Sequence, residues 1–103
     1  MLQKIDLIGN IVADAELKTG KDGREFISFR VAVNEGNGEE KKTTYYDVTY
    51  VKSGVLQYLK KGQSVFVSGR LSLAVALKDD KAFLNAYVSA KDIDLCGYPA
   101  KEG

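Results

Sequence analysis

Apolar and polar side chains alternate with period two along most of this chain, the pattern of strands that bury one face and expose the other. The longest such run is Ser64–Lys78, where Val65, Val67, Leu71, Leu73, Val75 and Leu77 share one side with Gly69, and Ser64, Phe66, Ser68, Arg70, Ser72, Ala74, Ala76 and Lys78 take the other. A strand of that length is expected to bend, and Gly69 is the expected place. Residues 25–34 set Ile27, Phe29, Val31 and Val33 against Ser28, Arg30, Ala32 and Asn34. Residues 43–52 are rich in β-branched and aromatic side chains and read as a third strand. Residues 82–95 set Leu84, Ala86, Val88 and Ala90 against Phe83, Asn85, Tyr87 and Ser89, and residues 2–13 form the opening strand, with a bulge or bend expected at Gly9.

Turn chemistry separates these runs. Residues 19–23 (Thr-Gly-Lys-Asp-Gly) and 34–38 (Asn-Glu-Gly-Asn-Gly) supply residues that tolerate positive backbone angles, and Lys78-Asp79-Asp80-Lys81 is a short polar hairpin tip. One helix is expected between strands three and four. Ser53 caps its start, Val55, Leu56 and Leu59 form a short apolar stripe, Lys60 and Lys61 suit its negative end, and Gly62 stops it. The order β-β-β-α-β-β, with the helix between strands three and four of a small barrel, predicts an all-β fold: a five-stranded Greek-key OB barrel. Residues 1–96 would form that domain and 97–103, which hold the only proline, a flexible tail.

Composition narrows the function more by exclusion than by signal. At 103 residues there is room for one compact domain, small enough to gain from oligomerisation. The 15 basic and 14 acidic residues leave a net charge of +1, so any polyanion site must come from local clustering of Lys and Arg. Histidine is absent and Cys96 is the only cysteine, which leaves no intrachain disulfide, no structural metal cage and no activated nucleophile. Cys96 reads as a small, partly buried apolar residue, and a reducing cytoplasm is the expected compartment. No cofactor motif and no Gly-rich phosphate loop is present. Charges interrupt the apolar start almost at once, and no run approaches the length needed to span a bilayer. An enzyme is not expected.

Four blocks, in order, resemble one known family. Residues 2–10 (Leu-Gln-Lys-Ile-Asp-Leu-Ile-Gly-Asn) look like the opening strand of the bacterial single-stranded DNA-binding proteins, and residues 29–34 (Phe-Arg-Val-Ala-Val-Asn) resemble their second strand. Residues 44–48 (Thr-Tyr-Tyr-Asp-Val) stand where that family has T-E-W-F/H-D/R-V. Residues 58–62 (Tyr-Leu-Lys-Lys-Gly) followed by 65–71 (Val-Phe-Val-Ser-Gly-Arg-Leu) resemble Y-L-K-K-G-x-x-V-Y-V-E-G-R-L, the most specific of the four. The resemblance covers residues 2–95. It implies sequence-tolerant binding of single-stranded DNA in replication, recombination or repair, by a homo-oligomer, typically a tetramer of paired dimers with first-strand edges paired.

The family combines a basic groove for phosphates with aromatic platforms for bases. Carried over, the resemblance assigns Lys4 and Lys18 to basic positions and Tyr45 to the place of a stacking tryptophan. Arg30 lies on the polar side of its strand, Lys41 and Lys42 adjoin Tyr45, and Arg70 begins the polar side of the fourth strand, so these join the expected DNA face. Tyr50 is expected in the core and Tyr46 at a subunit contact. Other positions depart from the pattern. Val51 replaces a stacking phenylalanine, and Ser72-Leu73-Ala74-Val75-Ala76 replaces a stretch with arginines and a tryptophan. Residues 99–103 stand where the family has a long linker and acidic tip. A trimmed chain and a member that never had the tail remain the alternatives, with Met1 and the short end expected to favour the second. The eroded stretch at 72–76 supports a second reading, an OB-fold protein-interaction or assembly module with little affinity for DNA.

Overall fold

The computed structural model describes residues 3–36 and 42–96, with the side chain of Ser53 left out. Six strands and one short 3-10 segment follow in the order β1 (Lys4–Ile11), β2 (Glu16–Thr19), β3 (Glu25–Glu35), β4 (Lys42–Tyr50), the 3-10 segment (Ser53–Tyr58), β5 (Ser64–Lys78) and β6 (Lys81–Cys96). The sheet runs β1-β5-β6-β4-β3-β2, and an additional β1–β3 pairing closes β1, β5, β6, β4 and β3 into a ring. All neighbours are antiparallel except β4 and β6. This is the five-stranded OB barrel that the alternation predicts, with β2 added outside β3.

The alternation does not predict β2, and the reason is local. Its residues Glu-Leu-Lys-Thr are all exposed, so they carry no buried face for a period to reveal. β1 leaves the ring at Val12, whose N–H donates to the Arg30 carbonyl at 3.1 Å, and the chain resumes against β3 four residues later. The expected α-helix is also replaced, by six residues of 3-10 geometry ending before Lys60 and Lys61. A segment this short, with Gly54 near its start and β-branched Val55 next, cannot offset the cost of nucleating an α-helix. Leu59 still plugs the barrel end, fully buried, while Val55 and Leu56 are half-buried against the same core. Ser53 as a cap lies outside the described side chains.

Ile11, Ile27, Val31, Val48, Val65, Val67 and Val88 fill the barrel with essentially no solvent contact, each worth about 1.5–3 kcal/mol in apolar burial. Tyr50 joins them, and Tyr46 packs half-buried at the edge. Two glycines allow close approach. A Cβ on Gly9 would come 2.6 Å from Val31 Cγ1, where β1 passes from β5 to β3, and one on Gly69 would come 2.8 Å from Ala90 Cα. At Gly69 the β5–β6 register slips by one residue, with Ser68 opposite Asp92 and Gly69 opposite Ala90, so Lys91 is the extra residue of a bulge. Gln63 is the one buried polar side chain among the described residues. Its Nε2 donates to the carbonyls of Ser64 (3.0 Å) and Cys96 (3.3 Å), tying the end of β6 to the start of β5. Cys96 is a free, half-buried thiol.

Two of the three predicted turns form, and the one at 34–38 lies partly outside the described residues. Gly20 N–H donates to the Arg24 carbonyl at 2.8 Å, and Arg24 N–H to Asp22 Oδ1 at 3.1 Å, closing the β2–β3 loop. Asp79 and Asp80 both adopt left-handed angles (φ 52° and 62°) at the β5–β6 tip, the mirror-image turn that suits the twist of a hairpin. No helix among the described residues is long and apolar enough to cross a membrane.

Candidate nucleic-acid interface

Because Ile27, Phe29 and Val31 point into the barrel, Phe26, Ser28, Arg30, Ala32 and Asn34 point out of it. Register then carries that outer face across the sheet. Arg30 lies opposite Asp47 and Ala32 opposite Tyr45. Asp47 is beside Tyr87, and Thr49 beside Ser89. Ser89 lies opposite Arg70, Tyr87 opposite Ser72 and Phe83 opposite Ala76, while Arg70 lies opposite Lys4. One continuous outer surface therefore runs from β2 to β1.

Five of the seven expected site residues stand on this surface. Tyr45 is about half exposed near its middle. Arg30 is beside it, and Lys18 stands at one margin, opposite Phe26. Lys4 and Arg70 stand at the other margin, directly across from each other, and neither makes an ion pair among the described residues. Like charges facing each other across strands repel, and an anion bound between them would relieve that. Lys42 is placed differently. It falls on the same side of β4 as Tyr46 and Val48, opposite Glu35, and so points away from Tyr45. Lys41 lies outside the described residues.

Arg30 is less available than its position suggests. Its Nε donates to Asp47 Oδ1 at 2.9 Å. That hydrogen bond, followed by the carboxylate's charge, raises the Arg30 pKa above its usual value against a slight opposing desolvation. Tyr45 and Tyr87 add smaller contributions in the same direction. Arg30, Thr43, Tyr45, Asp47 and Asn85 border a shallow depression of about 400 Å³ in the middle of the face, which Thr44, Leu84 and Ala86 also line.

Three further rings join the face that sequence reasoning does not assign to it. Tyr87 and Phe83, each nearly half exposed, stand on the outer side of β6, and Phe26 is half-buried on β3 beside exposed Val51, in a second depression of about 340 Å³. The alternation already places Phe83 and Tyr87 on one side of their strand. Only the parallel β4–β6 pairing shows that this is also the side of Tyr45.

The family model described as "Single-strand binding protein family" matches residues 2–96. The chain belongs to that family. The resemblance of residues 2–95 is thereby borne out. Among relatives, the chain is similar to a single-stranded DNA-binding protein of Rhizobium meliloti (strain 1021), 35% identical over 80 residues, which is 68% of this chain and 46% of that protein. The match thus spans about half the relative's length. Among solved structures it is similar to the small single-stranded DNA-binding protein from Streptomyces coelicolor, with a TM-score of 0.76 and 20% identity over 91% of this chain and 94% of the other, a likeness of fold alone. It is also similar to a Plasmodium falciparum SSB solved in complex with ssDNA, with a TM-score of 0.66 and 25% identity over 92% of this chain and 93% of that one.

Proposed function

We propose that this family member binds single-stranded DNA with little sequence preference, as a homo-oligomer, in replication, recombination or repair within a reducing cytoplasm. The observation that carries this reading is the outer barrel face, where Tyr45, Tyr87 and Phe83 offer ring surfaces between cations at both margins. Bases stack on rings whatever their identity, and phosphates are met by Lys4 and Arg70 on one side and Lys18 on the other. Arg30 would act between the rings, sharing its guanidinium between Asp47 and a phosphate or a stacked base. Residues 1–96 serve as the binding domain. The role is binding without catalysis, and it requires no metal or cofactor.

A specific observation favours the second reading. Between Arg70 and Lys78 the outer side of β5 is Ser72, Ala74 and Ala76, with no cation, and the central arginine is already paired. An assembly module would keep the barrel and lose the DNA. Titration with oligo-dT at low and moderate salt, followed by tyrosine fluorescence, separates the two. Quenching that weakens steeply as salt rises supports DNA binding. No quenching at micromolar protein overturns it and leaves the assembly reading.

A further inference from the structure

We propose that the cleft where β4 and β6 part reads a base, and that Asn85 and Asp47 there favour one with an exocyclic amine, such as cytosine, over thymine. The two strands pair from Tyr46–Ala86 to Thr49–Ser89. Each extends beyond the first of those pairs, β4 back to Lys42 and β6 back to Lys81, with a ladder on one side only, to β3 and to β5. The depression of about 400 Å³ lies at this parting. Residues from both sides of the sheet therefore line it, Leu84 and Ala86 from the inner side with Tyr45 and Asn85 from the outer. A gap between parted strands exposes backbone edges, which suit the hydrogen-bonding edge of a planar ring.

Asn85 is half-buried, yet its amide makes no hydrogen bond among the described residues, and Ala74 opposite it on β5 offers none. Phe83 and Tyr87 flank it on the same side of β6, and Tyr45 borders the cleft from β4. A base stacked on one of these rings brings its edge to that amide. Asp47 borders the same cleft. Its Oδ1 accepts from Arg30, while its Oδ2 takes no hydrogen bond among the described residues. Arg30 and Asp47 cancel in charge, and no other charged side chain lines the cleft, so a neutral base enters at less cost than a phosphate. The amide offers a donor and an acceptor side by side, which cytosine and thymine can both meet. Asp47 decides between them. Cytosine meets Asn85 with N3 and one hydrogen of its amine, and the second amine hydrogen remains for the carboxylate. Thymine meets Asn85 with N3–H and O4, and O4 then turns its other lone pair to the carboxylate, acceptor against acceptor.

This deepens the DNA binding of the proposed function and rests on it. The test compares oligo-dT with the same oligomer carrying 5-methyl-dC at every third position, by fluorescence anisotropy of the labelled strands with the full chain at pH 8. 5-Methylcytosine and thymine share ring size and methyl group, so the comparison isolates the amine and the neighbouring N3. The expected result is at least about fivefold tighter binding of the substituted oligomer, and a ratio below about two for Asn85→Ala and for Asp47→Ala. Equal affinities, or tighter binding of oligo-dT, overturn the base-reading cleft and leave DNA binding standing. No binding of either oligomer overturns both. A preference that survives Asn85→Ala or Asp47→Ala overturns the assignment to these two residues. Should a substitution unfold the chain, the parent with an N4,N4-dimethyl-dC oligomer, which has no amine hydrogen, gives the answer. A preference lost with those hydrogens supports the cleft, and one retained without them overturns it.

Discussion

β5 and β6 run through two regions that share the same strands and differ in everything around them. Below Gly69 each has barrel neighbours: β5 lies between β1 and β6, Val65 and Val67 have no solvent contact, and Gln63 ties the strand ends together. Above it the pair loses first β1 and then β4, and equivalent side chains stand in water. Ring closure, rather than hydrophobicity, makes the difference. A valine at 67 and a valine at 75 obey the same alternation, yet only the first has a second layer over it.

The sharpest way to break this contrast is to make one substitution in both regions. Val67→Ala should cost about 2 kcal/mol in urea unfolding, by lost burial and the cavity left behind. Val75→Ala, measured dilute enough to keep the chain dissociated, should stay within about 0.5 kcal/mol. Equal losses would mean the arm is packed in the isolated molecule. The candidate binding face offers a second comparison. Tyr45→Ala in the body and Phe83→Ala on the arm should each weaken oligo-dT binding by about 1–2 kcal/mol if both rings stack, read from fluorescence or anisotropy titrations. A loss confined to Tyr45 would end the DNA face at β4.

Smaller effects refine the boundary. Arg70→Ala, at the root of the arm, should lower the steepness of the log K against log salt plot by about 0.7, one phosphate on a single strand. Lys81→Ala, at the tip, should leave it unchanged. Smallest of all, Asp80→Gly should raise stability by about 0.5 kcal/mol, since glycine takes the left-handed angle that an aspartate resists. Thermal unfolding followed by circular dichroism would record it, and a destabilised variant would show that the aspartate side chain holds the turn.

Much of this fold is legible in the order of the residues. Period-two alternation in β3 and β5 identifies the inward residues Ile27, Phe29, Val31, Val65 and Val67, and all five are buried. Gly69 marks the irregularity of β5, and Asp79-Asp80 the tip. What escapes depends on long-range partners. Leu73, Val75 and Leu77 read as core because alternation reports a side, while burial depends on what lies across from it. β2 has no buried residue to betray it, and the 3-10 segment is too short for a helical period. For the candidate site, the outer-side residues of β3 can be read directly, but Tyr87 and Phe83 join Tyr45 only through a parallel pairing between strands about forty residues apart in sequence. Adjacency along the chain groups Lys42 with Tyr45, and strand geometry turns it to the other side.

The Arg30–Asp47 pair makes the middle of the outer face an ion exchanger with its counterion built in. A phosphate arriving there would displace a tethered carboxylate instead of a mobile salt ion, so the protein would gain only the difference between two anionic partners. On the proposed function, contacts at Lys4 and Arg70 would shed dissolved ions and register in the salt dependence, whereas a contact at Arg30 would be nearly silent in it. Counting phosphates from the salt slope would therefore undercount those that a DNA-bound face would hold, and the shortfall would measure how often Asp47 lets go.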